Sequence, residues 1–309
     1  MTGRFALLCP GQGAQQRGMF DMARADPAAG ALLDTVIAQA GLDTALDKVL
    51  ADDALLFANR HAQPLVVAAT LANWKALERA LPPPAIVAGY SIGEVAAYAV
   101  AGALAPVEAV ALARVRAGLM DACLGSMPRQ ALLSVSGLPL GAMEALVRRH
   151  DFHIAIVNGD DSMIAGGPAD QAQGLRQALA AAGARSGLLP VAVASHTPFM
   201  AGAVAPLAAR LRQALGDPRV PVLSGISGER ITQRTTAIEH LSRQVAEPVL
   251  WRDCMDALVE SGITVALELG PGAGLSRMLQ MRHPQVATRS VADFRSLDGV
   301  LNWLGRHVD

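Results

Sequence analysis

Gly89-Tyr90-Ser91-Ile92-Gly93 follows the apolar run Ala85-Ile86-Val87-Ala88 and opens an alanine-rich stretch of helix formers. Apolar residues before the motif and helix formers after it read as a buried strand turning into a helix. Glycines two residues to either side of Ser91 suit a turn too tight for larger side chains. The pattern therefore reads as a nucleophile elbow that lifts a serine hydroxyl above the edge of a sheet. The helix N-terminus beyond it would offer N–H groups and a partial positive charge to a developing oxyanion. The bare pattern also arises as an ordinary Gly-Ser turn; the strand before it and the helix after it favour the elbow.

Upstream, Phe5-Ala6-Leu7-Leu8-Cys9 reads as a first buried strand, ended by the loop Pro10-Gly11-Gln12-Gly13. Helical spacing of apolar residues predicts helices over about 31–40 and 65–81, the second stopped by Pro82-Pro83-Pro84. Downstream of the elbow, helices are expected over about 92–102 and 107–121, with Pro106 at a first helical turn.

Residues 126–192 change character. Strands at 131–136, 154–157, 162–165 and 187–191 and helices at 140–149 and 169–182 give the order βαββαβ, a ferredoxin-like unit. Beyond it, helices over 198–215 and 252–261 and strands at 220–224 and 264–269 resume the α/β alternation. The expected fold is α/β: a core with a mainly parallel sheet formed by 1–125 and 193–309, and a ferredoxin-like subdomain, 126–192, inserted into it.

The chain has 309 residues, 52% of them hydrophobic, enough to fill a large core. Twenty-six Lys plus Arg against 27 Asp plus Glu give a net charge of −1, which disfavours nucleic acid or an anionic membrane as partner. Only Lys48 and Lys75 are lysines, and no chemistry is attached to that bias. Cys9, Cys123 and Cys254 lack the spacing of a zinc site or a disulfide scaffold and read as reduced, mostly buried thiols. Met1-Thr2-Gly3-Arg4-Phe5 does not resemble a signal peptide, and the apolar tract 95–107 is too short to span a bilayer. A cytoplasmic location is the default expectation.

A serine needs a base to take its proton. Of seven histidines, His61, His150, His283 and His307 lie in polar, charged or terminal surroundings and read as solvated surface residues. His153 starts a strand, and His240 lies in a charged helical stretch. His196 differs, because it sits between the apolar run 188–194 and Thr197-Pro198, at a strand-to-helix junction where active-site loops lie in open α/β sheets. Position alone leaves a general base and a capping or core histidine both open.

Five motifs occur in order: Cys9-Pro10-Gly11-Gln12-Gly13-Ala14-Gln15, Gly89-Tyr90-Ser91-Ile92-Gly93-Glu94, Arg114-Val115-Arg116-Ala117-Gly118-Leu119-Met120, Ser195-His196-Thr197-Pro198-Phe199-Met200 and Glu268-Leu269-Gly270-Pro271-Gly272. Together, over roughly residues 4–280, they resemble the malonyl-CoA:acyl carrier protein transacylase family. The resemblance implies an α/β-hydrolase-like core with a ferredoxin-like insert, agreeing with the organisation read above.

It further implies Ser91 as nucleophile, His196 as base, and the N–H groups of Gln12 and Ile92 as oxyanion hole. A carbonyl near Gln244 would orient the histidine in place of a triad carboxylate, and Asn158 would face the cleft. Arg116 would clamp the free carboxylate of a malonyl group, where a planar guanidinium fits and a lysine does not. Read alone, Arg116 is equally an exposed helix arginine and Asn158-Gly159 an ordinary turn.

The implied substrate is a CoA thioester, malonyl-CoA, with no permanently bound cofactor and no metal; the implied partner is an acyl carrier protein. Tyr90 departs from the histidine common before the nucleophile in fatty-acid members and points toward the malonate decarboxylase epsilon subunit, with that complex's carrier subunit as acceptor. The alternative is the fatty-acid-synthesis transacylase. Val193-Ala194-Ser195-His196 lacks a bulky aromatic before the histidine, which leaves selectivity against methyl-branched acyl groups open. A serine hydrolase would need an acid and then a histidine near the C-terminus, and a non-catalytic docking subunit would need a broken site.

Overall fold

The computed structural model describes residues 4–125 and 129–308. Met1–Gly3, where no signal peptide was expected, and 126–128, at the expected start of the insert, lie outside the described residues.

Among the described residues, eleven strands form two sheets: β1 (Phe5–Cys9), β2 (Ile86–Gly89), β3 (Gln130–Ser136), β4 (His153–Val157), β5 (Ser162–Pro168), β6 (Arg185–Leu188), β7 (Val222–Leu223), β8 (Arg230–Ile231), β9 (Val249–Leu250), β10 (Val265–Glu268) and β11 (Ala287–Ser290). The larger sheet has the order β11-β10-β1-β2-β7-β8; its first five strands are parallel and β8 turns back antiparallel to β7. Alternation sorts its side chains. Phe5, Leu7, Cys9, Val87 and Val265 face one apolar core, and Ala6, Leu8, Ile86, Ala88 and Ala266 face another.

The smaller sheet, β6-β3-β5-β4-β9, is antiparallel except where β9 joins β4 in parallel. Its first four strands, with the helices Leu140–Arg148 and Ala172–Ala181, have the ferredoxin-like arrangement read from the sequence. One face holds its own core of Leu133, Val135, Met143, Phe152 and Leu175. Leu132, Ala155 and Ile156 on the other face pack with Leu8, Ala88 and Trp251 of the larger sheet's side. The β9 edge strand, from far outside 126–192, was not foreseen. Two paired residues give too little alternation to signal a strand.

Other boundaries moved. The expected strand at 187–191 is β6, Arg185–Leu188. After a last bond to β3, from Leu189 N to Leu132 O at 2.9 Å, the chain runs as a linker that buries Val193 and Ala194. An apolar linker and an apolar strand look alike in sequence. The helix before the elbow starts at Asn59, earlier than its apolar periodicity suggested, and ends at Leu77. His61 lies in its first turns and is wholly buried, correcting the surface reading, with Nδ1 3.0 Å from the Leu55 carbonyl oxygen. Cys9 and Cys254 are free and buried, and Cys123 is free and half-buried. No described helix is long and apolar enough to cross a membrane.

Candidate active site

Strand β2 ends at Gly89 and the helix Gly93–Val100 begins four residues later, with Ser91 between them at φ 55°. The two glycines are there for space. A Cβ on Gly89 would lie 2.3 Å from the Glu94 backbone, and one on Gly93 would lie 2.1 Å from the Cys9 carbonyl oxygen. The turn is thus pressed between its own helix and the end of β1. The 10–13 loop leaves β1 against the same turn, since a Cβ on Gly11 would stand 2.9 Å from Tyr90 O and 3.7 Å from Ser91 Cβ. The N–H groups of Gln12 and Ile92 have no acceptor among the described residues, which leaves two amide donors beside the serine.

His196 lies at the end of the linker, its N–H bonded to Val245 O at 2.8 Å and its backbone at φ 63°. Its Nε2 is 2.6 Å from Ser91 Oγ, and its Nδ1 is 2.5 Å from the Gln244 carbonyl oxygen. Gln244 caps the C-terminal end of the helix Arg234–Arg243, where carbonyls have no intrahelical partner and are free to accept. A carbonyl can only accept, so Nδ1 carries the hydrogen and Nε2 presents its lone pair to the serine hydroxyl. Burial first, and then the charge of Arg116, push the His196 pKa down to about 3, against the opposing pull of Gln244. The imidazole is neutral at pH 7 and able to accept a proton.

Arg116 is almost wholly buried, which overturns the exposed-arginine reading. Nη1 donates to Gln63 Oε1 at 2.7 Å and Nη2 to Gln244 Oε1 at 3.1 Å. Nε is buried without a partner among the described residues. Burial lowers its pKa to about 10 while Glu94 raises it, so the guanidinium stays charged. Asn158, in the turn after β4, accepts the Tyr90 hydroxyl hydrogen at 3.0 Å through Oδ1, and the Tyr90 ring meets Trp251 edge-on at 5.4 Å. Tyr90 thereby joins the elbow to the insert.

The fold brings Ser91, His196, Gln244 and Arg116 into one hydrogen-bonded group, reaches Asn158 through Tyr90, and lays the Gln12 loop against the elbow. Two members were not singled out from sequence. Gln63 holds Arg116 from the helix Asn59–Leu77, with no local signal. Glu94 is wholly buried, its Oε2 accepting from Gln244 Nε2 at 2.6 Å and Gly225 N at 3.0 Å. A charged residue directly after an elbow, on a helix otherwise of small and apolar residues, was the available clue. Burial pushes the Glu94 pKa up to about 7, opposed by the Gln244 and Gly225 hydrogen bonds and by Arg116.

The model of the acyl transferase domain family matches residues 6–295. The chain belongs to the acyl transferase domain family. It is 33% identical over 301 residues to a Mycobacterium tuberculosis protein named malonyl CoA-acyl carrier protein transacylase, covering 96% of this chain and 99% of that one. The crystal structure of MCAT from Mycobacterium tuberculosis superposes with a TM-score of 0.87 at 33% identity, over 97% of this chain and 99% of that one. A structure described as a type II polyketide acyl carrier protein in complex with its malonyl-transacylase gives a TM-score of 0.89 at 26% identity, over 97% and 99% of the two chains. The α/β acyltransferase fold expected from the sequence is the fold observed.

Proposed function

We propose that this chain moves a malonyl group from malonyl-CoA to the phosphopantetheine-type thiol of an acyl carrier protein through a malonyl-serine ester. The observation that carries the reading is the Ser91–His196–Gln244 relay, in which a neutral imidazole faces the serine with a free lone pair. His196 takes the Ser91 proton as Oγ attacks the thioester carbon. The N–H groups of Gln12 and Ile92 receive the oxyanion, and CoA leaves with the proton from His196. The carrier thiol then gives its proton to His196 and attacks the ester, and His196 passes that proton to Ser91 Oγ as the acyl–oxygen bond breaks. A thioester has a good leaving group, so a carbonyl in place of a triad carboxylate suffices. Arg116 pairs with the free carboxylate of the malonyl group, and Asn158 borders the cleft from the insert. The CoA thioester comes as substrate, no resident cofactor is required, and the cytoplasm is the matching compartment.

The acceptor in this reading is a carrier protein of the fatty-acid-synthesis type. Tyr90, which with the short, lysine-poor chain points toward malonate decarboxylase, also has a local role in its contacts with Asn158 and Trp251. The Mycobacterium tuberculosis relative that matches end to end is a malonyl CoA-acyl carrier protein transacylase. A serine hydrolase with its base near the C-terminus is disfavoured because Ser91 Oγ already faces His196 Nε2 at 2.6 Å. Incubation with malonyl-CoA and a phosphopantetheinylated fatty-acid carrier protein tests the reading. Malonyl on the carrier thiol supports it; malonyl-CoA hydrolysis with no carrier product refutes it.

A further inference from the structure

The orientation of the Gln244 side chain is fixed by its surroundings. Nε2 donates to Ser91 O at 3.0 Å and Glu94 Oε2 at 2.6 Å, while Oε1 accepts from Arg116 at 3.1 Å. Reversing the amide would press its oxygen against a carbonyl and a carboxyl oxygen and its NH2 against a guanidinium. The backbone carbonyl of the same residue holds His196 Nδ1. One residue therefore touches the nucleophile's backbone, the base and the buried cation, and Glu94 makes the shortest of the hydrogen bonds that set its direction.

We propose that Glu94 is a positioning residue that braces Gln244, fixing through it both the tilt of His196 and the placement of Arg116. The brace rests on the acyl-transfer reading above. Its parts come from distant elements: Glu94 from the helix after the elbow, Gly225 from the turn after β7, and Gln244 from a helix end. All three are tied at one carboxyl oxygen, and the other, Oε1, is buried without a partner among the described residues. An apolar side chain of similar size would leave the Gly225 N–H unpaired in the interior and the Gln244 NH2 with Ser91 O as its one remaining acceptor. The Gln244 amide would then be held by Ser91 O and Arg116 alone, without its shortest hydrogen bond, and its acceptor would sit less firmly on Arg116.

The test measures acylation of Ser91 in the full chain with malonyl-CoA and acetyl-CoA. Gln244→Leu keeps the backbone carbonyl and removes the amide. It is expected to lower kcat about tenfold with both donors, through His196, and to raise KM several-fold for malonyl-CoA alone, through Arg116. Glu94→Ala should lose as much, the Glu94→Ala/Gln244→Leu pair no more than either single change, and Glu94→Gln should recover most of the loss by restoring an acceptor oxygen. Circular dichroism confirms folding; should Glu94→Ala fail to fold, Gln244→Leu and Glu94→Gln decide. Wild-type constants for Gln244→Leu, additive losses in the pair, or no recovery by Glu94→Gln would overturn the brace. Absence of acylation in the wild-type chain would instead remove the reading beneath it.

Discussion

Ser91 and His196 meet at 2.6 Å with both backbones in the left-handed region, at φ 55° and 63°. Non-glycine residues rarely hold that conformation, and both here belong to the site. The surroundings impose it: the elbow is wedged between β1 and its own helix, and His196 is pinned through its N–H to Val245. Glycine lacks the Cβ that makes the left-handed region costly. Ser91→Gly is therefore expected to unfold at higher denaturant than Ser91→Ala, by about 1 kcal/mol, with acylation abolished in both. Equal midpoints for the two variants would show that the elbow is not strained.

Arg116 is held by two glutamine side chains with its Nε unpartnered. Replacing it with Ala removes the partner of a malonyl carboxylate, whereas the accompanying loss of the Gln63 and Gln244 hydrogen bonds falls on malonyl and acetyl transfer alike. The malonyl-to-acetyl rate ratio should fall by roughly 10–100-fold, the worth of charge-assisted hydrogen bonds. Arg116→Lys should not restore it, since an ammonium cannot form the same fork. An unchanged ratio in Arg116→Ala would rule out the clamp.

Burial and Arg116 hold the folded His196 pKa near about 3, below the usual histidine value of 6.5. Between these values the unfolded chain binds a proton that the folded chain does not, so stability rises with pH there. The contribution is complete above 6.5 and is lost progressively as pH falls toward 3. His196→Ala should therefore show a shallower loss of stability than wild type from pH 6.5 down to 4. Parallel curves would mean that His196 is not held neutral.

Gly93 and Gly118 both lie in helices but in opposite situations. A Cβ at Gly93 would meet backbone oxygens of Cys9 and Pro10 at 2.1 and 2.6 Å, whereas one at Gly118 meets nothing within 4 Å. Gly93→Ala should destabilise by about 1–3 kcal/mol and abolish acylation by shifting the elbow. Gly118→Ala should stabilise by about 0.5–1 kcal/mol with activity kept. Thermal melts and acylation rates read both.

Local pattern made much of this legible. The elbow is a five-residue motif between a strand and a helix, and the insert announces itself as βαββαβ with turn residues between elements. His196 stood out through the apolar run before it and Thr197-Pro198 after it. What could not be read is pairing across distance. Glu94 and Gln244 are 150 residues apart, Gln63 and Arg116 are 53 apart, and β9 pairs with β4 from far along the chain. His61 was misjudged because burial depends on what packs over the first turns of its helix, and Arg60 beside it suggested solvent. Tyr90 was weighed as a subfamily letter, yet its hydroxyl reaches Asn158 on the insert, 68 residues away.

Intact-protein mass spectrometry after brief exposure to malonyl-CoA, without carrier protein, tests the covalent step most directly. The wild-type chain should gain one malonyl group, mapped to Ser91 by peptide fragmentation, and Ser91→Ala should gain none. A malonyl adduct retained in Ser91→Ala, or no adduct on a wild-type chain that still transfers malonyl, would contradict a malonyl-serine intermediate.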